Sequence, residues 1–372
     1  MMPAVVLLIT SLDRGGAETQ VVRLAIGLRD RGWRTRVVSL LAPGALARPL
    51  AEAGIPVESL AMKPGSADPR GGFRLAAILR EWRPQALHCH LFHANLLGRA
   101  IRLFCPVPVV ISTLHSLAES GRDSADIRFR DRTYRFTGAM ADATVAVCEA
   151  VAERHAAARA VTRRKLRVIP NGVDRSVFRP REERQALRER LGLGREFAWL
   201  TAGRLMWKKD YRTLLRAFAS LREGVLLIAG TGPLEDELRA LALELGANVR
   251  FLGERDDVAG LMAACDGFVL SSIVEGLPMT LLEAAASGLV CVTTDAGGAR
   301  DAVLDGRTGF VIPPRDADAL AGAMLLVMRS PAEERACMGN AAREHAVNRF
   351  DIERVLSEWE DLYRELLAAS QL

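Results

Sequence analysis

The stretch FVLSSIVEGLPMTLLEAAASGLVCVTT, residues 268–294, carries three structural signals in a row. "FVLSS" opens as an apolar run of strand length. "MTLLEAAASG" has the composition and period of a helix, and "LVCVTT" is a second run rich in β-branched residues. Pro278 suits the first turn of that helix, and Gly276 frees the backbone just before it. Strand, helix and strand in that order make a parallel unit. Two glutamates eight positions apart stand inside it: Glu275 just before the helix and Glu283 in its second turn. The N–H groups around Met279, Thr280 and Leu281 would point at an anion such as a phosphate. Carboxylates accept hydrogen bonds from paired hydroxyls, so one glutamate would hold a sugar and the other a ribose, with phosphates between them. The small residues "AAASG" after Glu283 let the helix pack closely, so Glu283 is predicted to be shielded from solvent.

The same rhythm runs outward in both directions. In the first half "AVVLLIT", "RTRVVSLL", "PVESLAM", "ALHCHLF", "VPVVISTLH" and "ATVAVCEA" read as strands, with helical segments such as "GGAETQVVRLAIGLRDRG" and "GGFRLAAILREWRP" between them. "AVVLLIT" is apolar throughout, as a parallel strand buried on both faces should be. In the second half "EFAWLTAGRL", "GVLLIAGTGP" and "VRFLGE" continue the alternation with "YRTLLRAFASL" and "LEDELRALALELG". The fold class is therefore α/β: two Rossmann-like domains, residues 1–175 and 176–351, facing each other. Ligands in open α/β sheets sit at the carboxyl ends of the strands, so the cleft between the domains is the expected active site.

The 372 residues favour two domains, and 49% hydrophobic with 26% charged residues is ordinary for a globular protein. No apolar run is long enough to span a bilayer, and the apolar start is read as a first strand, not a signal peptide. Six scattered cysteines without a Cys-x-x-Cys pairing fit reduced thiols in a cytoplasmic protein. The net charge of +5 is uneven: residues 1–180 carry 27 Lys and Arg against 15 Asp and Glu. A basic half points to an anionic partner. Nucleic acid is a poor match, since aromatic residues make up only 5% of the chain.

Three strand ends carry candidate ligand contacts. Gly15 and Gly16, in "DRGGAE", let the backbone approach a ligand at a helix N-terminus, although a tight turn explains them equally well. Arg204 and Lys209, in "AGRLMWKKD", are two cations suited to a diphosphate. "LLIAGTGPLEDEL" is a further Gly-rich turn without the Lys of a P-loop. His88, His90 and His93 recur in "ALHCHLFHANLLG". His88 and His90 share one strand face and His93 falls in the following turn, so a structural or acceptor-lining role is expected in place of a metal site.

Taken together these segments resemble retaining glycosyltransferases of family 4, which have the GT-B fold. "EGLPMTLLEAAASGLVCVTTDAGGARDAV" is similar to that family's Glu-x7-Glu region and "AGRLMWKKDYRTLLRAF" to its Gly-Arg-Leu…Lys segment. "VIPNGVDRSVFRP", "LLIAGTGPLEDEL" and "RGGAETQVVRLAIGLRDRGW" resemble its interdomain, Gly-x-Gly-Pro and N-terminal Gly-Gly motifs. The resemblance runs in order from about residue 8 to 312. It implies that Arg204 and Lys209 neutralise a donor diphosphate and that Glu283 holds the ribose. Glu275 would face the donor sugar, with Gly15 and Gly16 near the phosphate and acceptor. It also implies that His115, in "STLHS", stands beside the donor sugar, and that the C-terminal helix, within 352–372, crosses back to complete the first domain.

The implied reaction moves a sugar from a nucleotide-diphosphate donor, read as UDP-linked, to a glycan or polyprenyl-linked acceptor in polysaccharide or glycolipid biosynthesis. No acidic metal motif is read in the chain, so no metal or other cofactor is expected; Arg, Lys and a helix dipole would stabilise the leaving group. The alternatives are a non-hydrolysing epimerase or dehydrogenase on a related fold, which would want a GxGxxG fingerprint, and a binding module without catalysis. The cationic clusters "RDSADIRFRDRTYR" (122–135), with Ile127, Phe129 and Tyr134 among arginines, and "RAVTRRKLR" (159–167) predict peripheral contact with an anionic membrane, on its cytoplasmic face.

Overall fold

The computed structural model describes residues 2–65, 68–117 and 124–370. The chain divides into two compact units, Met1–Gly172 with Ile352–Leu372, and Val173–Asp351. Among the described residues the first unit holds a seven-stranded parallel sheet. Its strands are β1 (Ala4–Ile9), β2 (Arg34–Ser39), β3 (Val57–Ser59), β4 (Ala86–His90), β5 (Val109–Leu114), β6 (Ala143–Ala146) and β7 (Leu166–Val168). They lie in the order β3-β2-β1-β4-β5-β6-β7. Its connecting helices are α1 (Gly16–Asp30), α2 (Ala47–Glu52), α3 (Pro69–Trp82), α4 (Phe92–Ile101), α5 (Ser124–Thr137) and α6 (Glu149–Ala157).

The second unit repeats the plan with β8 (Ala198–Ala202), β9 (Val225–Ala229), β10 (Val249–Gly253), β11 (Gly267–Leu270), β12 (Val290–Thr294) and β13 (Gly309–Ile312). These six parallel strands lie in the order β10-β9-β8-β11-β12-β13. Its helices are α7 (Arg184–Arg190), α8 (Tyr211–Leu221), α9 (Glu235–Glu244), α10 (Val258–Ala264), α11 (Met279–Ala286), α12 (Ala299–Ala302), α13 (Ala317–Arg329) and α14 (Ala332–Phe350). The last helix, α15 (Ile352–Ala369), belongs to the first unit.

Strand β1 shows why the sheet is buried on both faces. Val5, Leu7 and Ile9 pack with Leu24 and Leu28 of α1 and with Leu356, Trp359 and Tyr363 of α15. The alternate residues Val6 and Leu8 pack with Leu75 and Leu79 of α3 and with Ala94 and Ile101 of α4. A period of two on an all-apolar strand supplies both cores at once. Helix α15 is fixed at close range because Gly27 has no side chain where Leu356 lies. The Trp33 indole N–H donates to Glu360 Oε1 at 2.8 Å, and Arg31 pairs with both Glu353 and Glu360.

Three side chains depart from their expected places. His93 lies in the first turn of α4, not in a turn before it. Tyr134 is buried, its ring edge-on to Phe92, so it cannot join an exposed apolar rim; helical periodicity turns it inward while Phe129 and Phe136 face out. Lys165 directs its ammonium to the carbonyls of Gly138, Ala139 and Ala141, which uses one cation of the second cluster internally. Arg122 and Asp123 of the first cluster lie outside the described residues. Among the described residues no helix is long and apolar enough to cross a membrane.

Candidate active site

In each sheet the strand order reverses once, between β1 and β4 and between β8 and β11. Such switch points are where open α/β sheets bind ligands. The candidate residues follow β1, β8 and β11, except His115, which follows β5. In the second unit the turn after β8 carries Arg204 and Lys209, and the loop after β11 carries Glu275. Lys209 Nζ lies 2.6 Å from Glu275 Oε1, with side chains only 14% and 11% exposed. Ser272 Oγ donates to the same carboxylate oxygen at 2.7 Å. The two loops are also stitched through the backbone: Ser271 Oγ donates to the Lys209 carbonyl at 2.7 Å, and the Ile273 N–H to the Lys208 carbonyl at 2.8 Å. Burial by itself pushes the Glu275 carboxyl up. The Lys209 ammonium and the hydrogen bonds from Lys209 and Ser272 outweigh it and hold the group below the usual carboxylate range. Arg204 is exposed, as is Trp207, which retains 56% of its surface.

Glu275 precedes α11, and Glu283 lies within it. Pro278 is the cap residue before the helix, one place earlier than a first-turn position. Gly276 is not among the glycines with positive φ, so its conformational freedom is not used there. Leu281 departs from its expected part in anion binding: its N–H already donates to the Pro278 carbonyl at 3.1 Å, and its side chain is fully buried. Met279 and Thr280, which precede the first intrahelical bond, are left as the donors of this helix start. Glu283 is 8% exposed, so it is shielded as its small-residue context requires.

What holds the Arg204 turn is the Gly-rich segment after β9. The Leu205 N–H donates to the Thr231 carbonyl at 2.9 Å, and the Leu234 N–H to the Leu205 carbonyl at 3.1 Å. Gly230, at φ +134, meets the Gly203 carbonyl where any side chain would collide, and Gly232 sits equally close to the backbone of Leu205. The Gly-rich turn after β9, read from the sequence as a turn that is not a P-loop, is the floor under the Arg204 turn. Only the spacing of its two glycines could have signalled that two backbones meet there.

In the first unit Gly15 caps α1 in an extended conformation. A side chain at Gly15 would collide with the Glu18 carboxylate. The space expected for a phosphate is therefore shared with an acid of the protein itself. At the other side of the switch point His90 pairs in register with Ile9 and Thr113. His88 stacks on His90 with ring centroids 4.0 Å apart. Both His88 nitrogens are engaged, Nδ1 with the Tyr363 hydroxyl at 2.7 Å and Nε2 with Thr113 Oγ1 at 2.6 Å. His90 Nδ1 lies 3.0 Å from His115 Nε2. Burial lowers the pKa of His88 and His90 well below the usual value and that of His115 to about 4, so the cluster is neutral near pH 7. With both its nitrogens engaged, His88 is not available as a metal ligand.

One Asp-x-Asp does occur, Asp316–Ala317–Asp318, contrary to the reading that the chain has no acidic metal motif. Asp316 caps α13, its carboxylate accepting the Ala319 N–H at 2.8 Å, and this accounts for it as a helix start. Among the described residues no group of three or more His, Cys, Asp or Glu is arranged to hold a metal.

The chain is similar to known glycosyltransferases. Residues 14–177 match the family described as Glycosyltransferase Family 4, and residues 183–345 match Glycosyl transferases group 1. The chain is 30% identical to D-inositol 3-phosphate glycosyltransferase of Saccharomonospora viridis, over 96% of this chain and 90% of that protein. It is 28% identical to UDP-Gal:alpha-D-GlcNAc-diphosphoundecaprenol alpha-1,3-galactosyltransferase of Escherichia coli, over 79% of this chain and 78% of that one. Among solved structures it is similar to Anabaena Alr3699/HepE in complex with UDP and glucose. There the TM-score is 0.88 and the identity 23%, over 98% of this chain and 100% of that one.

Proposed function

Since the chain belongs to glycosyltransferase family 4 and has the GT-B fold, we propose that it moves a hexose from a UDP-linked donor to a hydroxyl of a glycan or lipid-linked acceptor, with retention and without a metal. The observation that carries this reading is the clamp of Lys209 and Glu275, set by Ser271 and Ser272 at the switch point of the second sheet and followed by the start of α11. The epimerase or dehydrogenase alternative has no support in these similarities. The UDP donor is supported by the Escherichia coli relative, named for UDP-Gal and a diphosphoundecaprenol acceptor, and by the UDP complex of Anabaena HepE.

In the proposed reaction the bond between the sugar C1 and the diphosphate oxygen breaks. The charge that develops on the diphosphate meets Arg204, Lys209 and the N–H groups of Met279 and Thr280. The acceptor oxygen forms its bond to C1 on the same face, and its proton passes to the departing phosphate oxygen. No protein nucleophile is required. Glu283 takes the ribose hydroxyls and Glu275 the hydroxyls of the donor sugar. His115 contacts the donor sugar, and Gly15 with Gly16 border the phosphate and acceptor. The test is incubation with UDP-glucose, UDP-galactose, UDP-N-acetylglucosamine and GDP-mannose, followed by nucleotide release and by the anomeric configuration of the product. Release of UDP with an inverted product would overturn retention, release of GDP alone would replace the donor, and no release at all would defeat the transferase reading.

A second element of the proposal is peripheral docking of the first unit on the anionic cytoplasmic face of a membrane. It is supported by α5, whose exposed residues include Arg128, Phe129, Arg132, Arg135 and Phe136, with Phe129 61% and Phe136 81% exposed. The acids of that helix point elsewhere: Asp126 pairs with Arg130, and Asp131 with Arg154. Three exposed arginines with Phe129 among them and Phe136 next to Arg135 are complementary to lipid phosphates and an apolar interior.

A further inference from the structure

Arg204 stands between two peptides that the second unit holds from different sides. The peptide after it is held by the loop that follows β9, through the Leu205 N–H on the Thr231 carbonyl at 2.9 Å. The peptide before it is held through the Gly203 carbonyl, which accepts the Tyr211 hydroxyl at 3.1 Å. Tyr211 is the first residue of α8, so its hydroxyl reaches back across the whole turn. The loop closed by this bond contains both Arg204 and Lys209. The Tyr211 ring is buried with Trp199, Leu205 and Leu214 in the core of the second unit, which fixes where the hydroxyl lies. Asp210, in left-handed backbone at φ +47, caps the helix and accepts Thr213 Oγ1 at 2.7 Å, which fixes where the ring begins. A side chain on Gly203 would start 3.4 Å from the Tyr211 oxygen and 3.6 Å from Lys209 Nζ, so hydroxyl and ammonium share the space beside this glycine. Burial raises the pKa of the Tyr211 phenol, and the negative charge of Glu275 raises it further against a hydrogen bond with Thr201. The hydroxyl therefore stays protonated and remains a donor. A carbonyl that loses its donor can turn with its peptide plane, and the backbone of Arg204 turns with it.

We propose that Tyr211 is a positioning residue: its hydroxyl closes the turn from Gly203 to Tyr211 and so aims Arg204 at the donor diphosphate. The inference rests on the diphosphate role proposed for Arg204. Tyr211→Phe tests it, since this change keeps the buried ring and removes one hydroxyl. The substrate is whichever of the four sugar nucleotides named above is turned over. Tyr211→Phe should lower kcat about 10–100-fold, as a small displacement of a positioned group does, and leave KM for the donor little changed. In an Arg204→Ala background the same substitution should cost almost nothing more, because groups that act as one unit are not additive. Far-UV circular dichroism and melting temperature check that each protein is folded. An equal loss in the wild-type and Arg204→Ala backgrounds would overturn the proposal, since a hydroxyl that only supports the fold acts independently of Arg204. A wild-type kcat in Tyr211→Phe beside a slow Arg204→Ala would overturn it as well. A normal rate in Arg204→Ala removes the diphosphate role of Arg204 and the proposal with it. That result is told apart from the two before by the rate of Arg204→Ala itself.

Discussion

Lys209 Nζ and Glu275 Oε1 lie 2.6 Å apart, so a cation and an acid that the sequence assigns to different parts of a substrate are first of all partners of each other. Each is largely shielded from water, and each balances a charge that would be costly to leave alone. Lys209 therefore meets a ligand already positioned, but with much of its charge answered. Arg204, on the same turn, is the more exposed of the two cations.

That asymmetry separates the two cations. Arg204→Ala should lower kcat by at least ~100-fold, as loss of a group stabilising transition-state charge does, with little change in melting temperature. Lys209→Ala should also lose turnover. It should in addition lose roughly 3 kcal/mol of stability, because Glu275 is left buried without its partner. Adding Glu275→Gln to Lys209→Ala should restore most of the stability and none of the activity. Urea unfolding and steady-state kinetics on the three proteins check this; near-normal turnover in both single variants would remove the assignment.

Acid should weaken the fold in two stages. Burial depresses His115 and His155 from 6.5 to about 4, and holds His88 and His90 well below the usual value. Below about pH 6.5 the unfolded chain binds protons that the folded one refuses, so this contribution is full above 6.5 and falls as the pH drops toward 4. Glu275 acts lower, since its folded value lies below the ordinary carboxylate range; its contribution is full above about pH 4.3 and is lost beneath that. Urea midpoints should thus fall between pH 7.5 and 5.5. A flat profile there would contradict the neutral histidine cluster.

Gly230→Ala tests the floor under the Arg204 turn without touching a charged group. The new methyl would collide with the Gly203 carbonyl at a backbone angle that side chains rarely adopt. A displacement of about 1 Å in a positioned group can cost ~100-fold in rate. We expect a drop of that order in kcat with a modest fall in melting temperature. Wild-type kinetics would show that the turn does not depend on this contact.

Chelation should leave turnover unchanged, because the leaving-group charge is assigned to Arg204, Lys209 and a helix start. Asp316→Ala should cost about 1 kcal/mol as a lost cap and leave turnover intact. Loss of activity with EDTA, restored by Mg²⁺ or Mn²⁺, would reverse the assignment.

For α5 the measurement is co-sedimentation with vesicles of rising anionic lipid content. Binding should weaken with salt. Replacing Arg128, Arg132 and Arg135 by Ala should weaken it about 100-fold, from roughly 1 kcal/mol per arginine. Protein that stays in the supernatant at low salt on strongly anionic vesicles would rule out docking and favour an acceptor in solution.

Sequence alone determined the parallel α/β architecture, because it rests on chain-local signals. An all-apolar run such as Val5–Ile9 can be satisfied only between two helical layers. The helix start next to Pro278 is likewise local chemistry, as is the shielding of Glu283 among small residues. Those signals name the residues at the strand ends but say nothing of how they meet. Lys209 and Glu275 are brought together by loops from two strands that are not consecutive in the chain. His90 and His115 meet because β4 and β5 pair in a register that places His90 beside Thr113. Gly230 matters only through a carbonyl on another loop. In each case the partner is chosen by strand order and register, which are global packing outcomes, and a hydrogen bond or a charge has no preference for sequence distance. The periodicity of the chain therefore specified which layers form, and only the folded sheets decided which polar groups satisfy one another.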